Sequence, residues 1–135
     1  MLVIDNPTVE QILTVPDVIE ALDHCQRALA TGDAINAPNY RVFTPRDGKD
    51  YAGFPEGGSP THHAFTSLTG AIASLDVTSD RVDSDIITYV KRGDRMRQIR
   101  VPGTPDRKFC GMIYLYSSKT GELLAIIHDG YLQKF

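Results

Sequence analysis

Two apolar runs near the C-terminal end constrain the fold of this chain more than any other feature. Met112-Ile113-Tyr114-Leu115-Tyr116 and Leu123-Leu124-Ala125-Ile126-Ile127 flank a polar stretch, Ser117 to Gly121. Apolar runs with β-branched and aromatic residues on either side of a short Gly-containing loop form a β-hairpin. The run that follows, His128 to Phe135, reads as the start of another element. It carries neither a Gly C-cap nor a Pro as a stop signal, so further structure is expected beyond Phe135.

At 135 residues, 41% of them hydrophobic, the chain is expected to be one domain, 1–135, with a core of its own. No apolar run approaches the ~20 residues of a membrane helix. The start, Met-Leu-Val-Ile-Asp, lacks the basic and apolar segments of a signal peptide. No membrane partner is expected. Cys25 and Cys110 fit no metal or redox spacing and read as free, mostly buried thiols in a reducing cytoplasm. A formal net charge of −3 argues against a general nucleic-acid binder.

Met1 to Ile4 is a short strand candidate. Asp5 or Asn6 can cap a short helix running through Leu13, with Pro7 in its first turn, where a missing N–H costs nothing. Thr14 can cap a second helix, Asp17 puts negative charge near the positive end of its dipole, and Gly32 ends it. Val15, Val18, Leu22, Cys25 and Leu29 follow a 3-4-3-4 spacing, one stripe along that helix. The stripe fits a helix laid on its own sheet better than a partner-binding seam.

From residue 37 the texture changes to strands and turns. Asn39 to Thr44 is a strand with Arg41 in its middle, Arg46 to Asp50 a turn, and 51–60 a Gly- and Pro-rich loop. Ala64 to Leu68 and Ala71 to Leu75 read as two short strands, and Val82 to Val90 as a longer one. Residues 91–108 read as a polar loop or arm. Two helices followed by a meander of strands predict an α+β domain, the helices packed on a mostly antiparallel or mixed sheet.

Several chemistries are missing. The chain has no Gly-x-Gly-x-x-Gly, no Gly-Lys-Ser/Thr and no Cys-x-x-Cys. His62 and His63 are adjacent, and neighbours on a strand face opposite ways, so they are poorly placed to share a metal. Asp76, Asp80, Asp83 and Asp85 read as a solvated loop and strand edge. The arm holds Lys91, Arg92, Arg95, Arg97, Arg100, Arg107 and Lys108, opposed only by Asp94 and Asp106. It is either a solvated loop or a grip for an anionic ligand, with no aromatic residue interleaved for base stacking.

Arg41 and Arg81 stand apart: Arg41 lies inside an apolar strand pattern, Tyr40-Arg41-Val42-Phe43, and Arg81 opens the strand that runs through Val82. A guanidinium on a sheet needs a counter-charge, since burying it bare costs several kcal/mol. Guanidinium forks also match carboxylates in shape. Two readings stay open: both arginines face a pocket for a substrate carboxylate, or each is bridged to one of the aspartates. The residues alone favour the bridge.

The order of segments adds a further line. Met1 to Gly32, then Asn36-Ala37-Pro38-Asn39-Tyr40-Arg41, Arg81-Val82-Asp83-Ser84-Asp85-Ile86 and Cys110 to Tyr116 follow one another as they do in a known family. Thr120 to Ile127 with Asp129-Gly130 completes the series. The chain resembles the N-terminal third to half of the ornithine cyclodeaminase and μ-crystallin family. The resemblance implies the substrate-binding and dimerisation domain of a homodimer whose strands pair across the dimer axis. It implies an NAD(P)-dependent enzyme acting at the α-carbon of amino or imino acids, with the dinucleotide held by a separate Rossmann domain. It implies that basic side chains matched by Arg41 and Arg81 hold the substrate carboxylate, and that a third arginine would fall just past Phe135. Two departures follow. Asp83 stands where Lys or Asn is expected, and Thr66 where lysine is expected. The Rossmann domain and its catalytic aspartate are not expected within residues 1–135. The expectation is therefore a truncated or split domain with no catalytic residue, cofactor site or metal of its own, forming a homodimer and holding a small amino or keto acid. The alternative is a non-enzymatic module using the basic arm 91–108 for an anionic ligand or a protein partner.

Overall fold

Helix starts are written locally in this chain. Asp5 accepts the Thr8 N–H at 2.9 Å and opens helix α1, Asn6–Ile12, with Pro7 in its first turn. Thr14 and Asp17 form a reciprocal capping box, the Thr14 N–H donating to Asp17 Oδ2 at 3.0 Å, and open helix α2, Val15–Thr31. Gly32 closes α2 at φ 78°, a left-handed conformation that glycine adopts without a Cβ penalty.

The computed structural model describes residues 1–51, 54–101 and 110–134. Strand β1 is Leu2–Ile4, β2 Ala34–Asn36, β3 Tyr40–Pro45, β4 Thr61–Ile72, β5 Val77–Arg92, β6 Arg95–Val101, β7 Cys110–Ser117 and β8 Leu123–His128. They form one mixed sheet in the order β1-β8-β7-β5-β4-β2, with β3 pairing β4 and β6 pairing β5. With its two N-terminal helices the domain is α+β, as the sequence predicts.

The chain divides into two compact units, and β4 and β5 contribute residues to both. The first comprises Met1–Asn39, Ser67–Val82 and Gly111–Phe135. Here β1 runs parallel to β8, Leu2 opposite Ala125 and Ile4 opposite Ile127. The predicted hairpin is β7–β8, with Met112 opposite His128 and Ile113 opposite Ile127. Val9, Ala28, Ala34 and Ala125 are its buried apolar residues. The predicted α2 stripe is covered only in part. Val18, Cys25 and Leu29 are half-buried, whereas Val15 and Leu22 are exposed. Cys25 is a free thiol, half-buried rather than buried. The Cys110 thiol lies outside the described residues.

The second unit comprises Tyr40–Thr66 and Asp83–Cys110. Its buried apolar residues are Ala64, Ile87 and Val101, and Thr61 and Thr88 are buried as a hydrogen-bonded polar pair. The Thr61 hydroxyl donates to Thr88 Oγ1 at 3.1 Å, and Thr88 donates to the Pro60 carbonyl at 3.2 Å. Two expectations need correction. Residues 64–75 are not two short strands, because β4 runs unbroken through Gly70 to Ile72 before a 3-10 turn at Ala73–Leu75. The arm is not a loop over 95–101, because those residues pair as β6 with β5, Arg92 opposite Arg95 and Ile86 opposite Val101. The rest of the arm, with Arg107 and Lys108, lies outside the described residues. The run from His128, read as the start of another element, holds a 3-10 turn at Leu132–Lys134.

Candidate functional site

Each unit holds one of the two arginines singled out from sequence, set in a polar constellation. In the second unit the site grows from strand alternation. Arg41 and Phe43 are two apart on β3, so they share a face. The Arg41 guanidinium carbon lies 5.9 Å from the Phe43 ring centre, and Phe43 meets His62 of β4 edge-on at 5.8 Å. Arg41 Nε donates to Thr66 Oγ1 at 2.9 Å, and Thr66 is buried. Thr66 is thus the hydroxyl that fixes Arg41. A shorter, uncharged side chain at the position expected for lysine supplies an acceptor instead of a second cation.

The β5 residues Asp83 and Asp85 are 5% and 6% exposed. This corrects the reading of the aspartate run as solvated. Asp85 Oδ2 takes Arg100 Nε of β6 at 3.3 Å, while its buried Oδ1 has no hydrogen-bond partner among the described residues. Arg100 is diagonal to Asp85 in the β5–β6 register, where long side chains still reach. Earlier on β5, in the first unit, Asp80 accepts Ser67 Oγ at 2.7 Å and Thr69 Oγ1 at 2.8 Å. His63 Nε2 pairs with Ser84 Oγ at 2.9 Å, so the two neighbouring histidines have separate partners, as strand alternation predicts. Two clefts of about 500 Å³ each are described in this unit, around Asp47, Gly48 and Gly58, and Arg41 lines neither.

In the first unit Arg81 is bridged to an aspartate. Arg81 Nε donates to Asp129 Oδ2 at 2.6 Å, and Gln133 Nε2 donates to the same oxygen at 3.0 Å. Asp129 is 1% exposed, and its Oδ1 has no hydrogen-bond partner among the described residues. Oδ1 lies against the Gly111 Cα, where any Cβ would collide with the carboxylate. The turn that carries Asp129 is tied to the start of α1, because Asn6 Oδ1 accepts the Tyr131 N–H at 2.9 Å. Asp129, Gly111 and Gln133 were not singled out from sequence. The Asp-Gly pair signals a turn, and nothing local reports that the carboxylate is turned inward.

A dinucleotide finds no fit among the described residues. The first turns of α1 and α2 are capped by the chain's own Asp5, Thr14 and Asp17, and no glycine-rich strand-to-helix turn precedes either helix. No group of His, Cys, Asp or Glu side chains among the described residues could hold a metal ion. No helix among them is long and apolar enough to cross a membrane.

Taken together, the helices and mixed sheet have the fold of an ornithine cyclodeaminase-like domain. A probable ornithine cyclodeaminase from Bordetella pertussis Tohama I matches 99% of the chain with a TM-score of 0.63 at 21% identity. An archaeal alanine dehydrogenase, a dimer solved with bound NAD, matches 98% with a TM-score of 0.63 at 16% identity. At these identities the likeness is one of fold. The chain spans about a third of the length of each, 32%. No family model matches it, and no curated protein matches it in sequence.

Proposed function

We propose that this chain is the substrate-binding and dimerisation domain of an NAD(P)-dependent enzyme of amino-acid metabolism, with Arg41 and Arg81 holding the carboxylate of a small amino or keto acid. The observation that carries the reading is the fold. Nearly the whole chain superposes on parts of two enzymes named for α-amino acids, ornithine and alanine. Both arginines are held through Nε, Arg41 by Thr66 and Arg81 by Asp129, which fixes the plane of each guanidinium. The dinucleotide, which supplies or takes up hydride, is held by a separate domain. This chain's own part is to bind and orient the acid. The free Cys25 thiol fits a reducing cytoplasm.

A homodimer is part of the proposal. Strand β3 is exposed along its whole length, with Tyr40 at 70%, Val42 at 46% and Phe43 at 48%. An apolar, exposed edge strand is a template for pairing, and a second copy is the partner that the proposed role supplies.

Calorimetric titration with pyruvate, L-alanine, L-ornithine and L-proline tests the site. At least one of these acids binds, and Arg41→Ala and Arg81→Lys each weaken it about tenfold or more, because a charge-assisted pair is lost in the first and the fork in the second. Unchanged affinity in both variants, or no binding of any of the four acids, rules the reading out.

A further inference from the structure

We propose that the tip of the β5–β6 ribbon binds a compact diphosphate group, gripped by Arg92, Arg95 and Arg97. This site uses none of the residues of the carboxylate reading and does not depend on it. The register places Arg92 directly opposite Arg95, and Arg97 opposite Val90. Side chains alternate along a strand, so Arg92 of β5 shares one face of the ribbon with Arg95 and Arg97 of β6. Facing Cβ atoms are about 5 Å apart, and Arg95 and Arg97 are separated by two residue steps, roughly 7 Å.

All three side chains are exposed, and no hydrogen bond or ion pair ties any of them to a described residue. Arg100 of the same strand provides the contrast. It lies on the other face, and its Nε meets the buried Asp85. Among the described residues of the ribbon, 86–101, no acid shares the face with the three. Asp94 sits in the turn beside Gly93, which holds φ 65°, and it makes no ion pair with them. Like charges directly opposite each other destabilise an antiparallel pair. The Arg92–Arg95 facing is a standing repulsion that an anion on that face relieves.

The shape of the cluster selects the anion. Guanidinium forks match phosphoryl oxygens. The three arginines straddle both strands, so the occupant lies on the face of the ribbon. An acidic peptide added as a strand would run along the outer edge of β6 and leave Arg92 unused. A long polyanion would meet the rest of a chain with net charge −3. Two linked phosphoryl groups carry terminal oxygens on both sides of their bridge, so forks from both strands can engage one ion at once.

Calorimetric titration of the full chain with inorganic pyrophosphate, orthophosphate and ADP at near-physiological salt tests the site. Pyrophosphate is expected to saturate a single site, with orthophosphate about tenfold weaker or more. ADP equal to pyrophosphate identifies the free diphosphate group as the feature read, and ADP several-fold tighter identifies a nucleotide as its source. Arg95→Gln and Arg97→Gln each lose about tenfold, whereas Arg27→Gln, an exposed arginine on α2, leaves binding unchanged. Melting supplies a second readout. Pyrophosphate raises the transition of the native chain but not that of Arg95→Gln, which on its own melts no lower than the native chain. Absence of saturable binding, equal affinity for orthophosphate, or an equal loss in Arg27→Gln would overturn the proposal.

Discussion

Asp129 shows how much one side chain can organise. It accepts from Arg81 and Gln133 on a single oxygen, and it occupies the space that a side chain at position 111 would need. Gly111→Ala should therefore destabilise the protein by about 2–4 kcal/mol, since the obstacle is a buried carboxylate pinned on its other side. Urea unfolding measures this, and a midpoint equal to that of the native chain would contradict the described packing. Arg81→Ala leaves that carboxylate buried without its cation and should cost about 3–5 kcal/mol. Arg81→Lys keeps the charge and should cost clearly less in the same unfolding assay. None of this was legible in the sequence, because Arg81 and Asp129 are 48 residues apart. What the sequence did carry was the need of Arg81 for a counter-charge. Asp83 and Asp85 were misread for a related reason. Four carboxylates within ten positions look like a solvated run, and only the return of β6 shows that Arg100 reaches Asp85.

Elements whose ends are written in neighbouring residues were legible to within a residue. Asp5, Thr14, Asp17 and Gly32 mark α1 and α2 because a cap needs only partners three or four positions away. The same caps set a pH dependence. The Thr8 hydroxyl and amide hold the Asp5 carboxyl below its ordinary value of 3.8, and the Thr14 hydroxyl and amide do the same for Asp17. A folded pKa below the unfolded one gives stability that is fully present above the unfolded value and is lost as pH falls through the folded one. Circular dichroism at the helix band should weaken below pH about 4. Asp17→Asn should flatten part of that acid transition, and an unchanged curve would deny the capping box its role. Strands were less legible than helices. Gly70 looks like a break in β4, yet β2 pairs across it, Asn36 opposite Gly70. Strand β6 alternates arginine with Met96, Gln98 and Ile99, a pattern without an apolar face, and its identity as a strand comes from β5.

For the whole molecule the order of elements was readable and the association state was not. The exposed strand β3 leads to a concrete expectation. Light scattering at micromolar concentration should give twice the mass of one chain, and Val42→Asp with Phe43→Asp should give the single mass while the fold persists. A native protein that scatters as one chain would remove the dimer from the proposal. The parallel pairing of β1 with β8 has a consequence for biosynthesis. Leu2 must find Ala125, so strand β1 waits until every residue between them has been made. At about 5–20 residues per second that delay is on the order of ten seconds. During translation Leu2 and Val3 are sticky and unmatched, and the nascent polypeptide needs a chaperone, or sheer dilution, to keep that segment from annealing to the wrong neighbour.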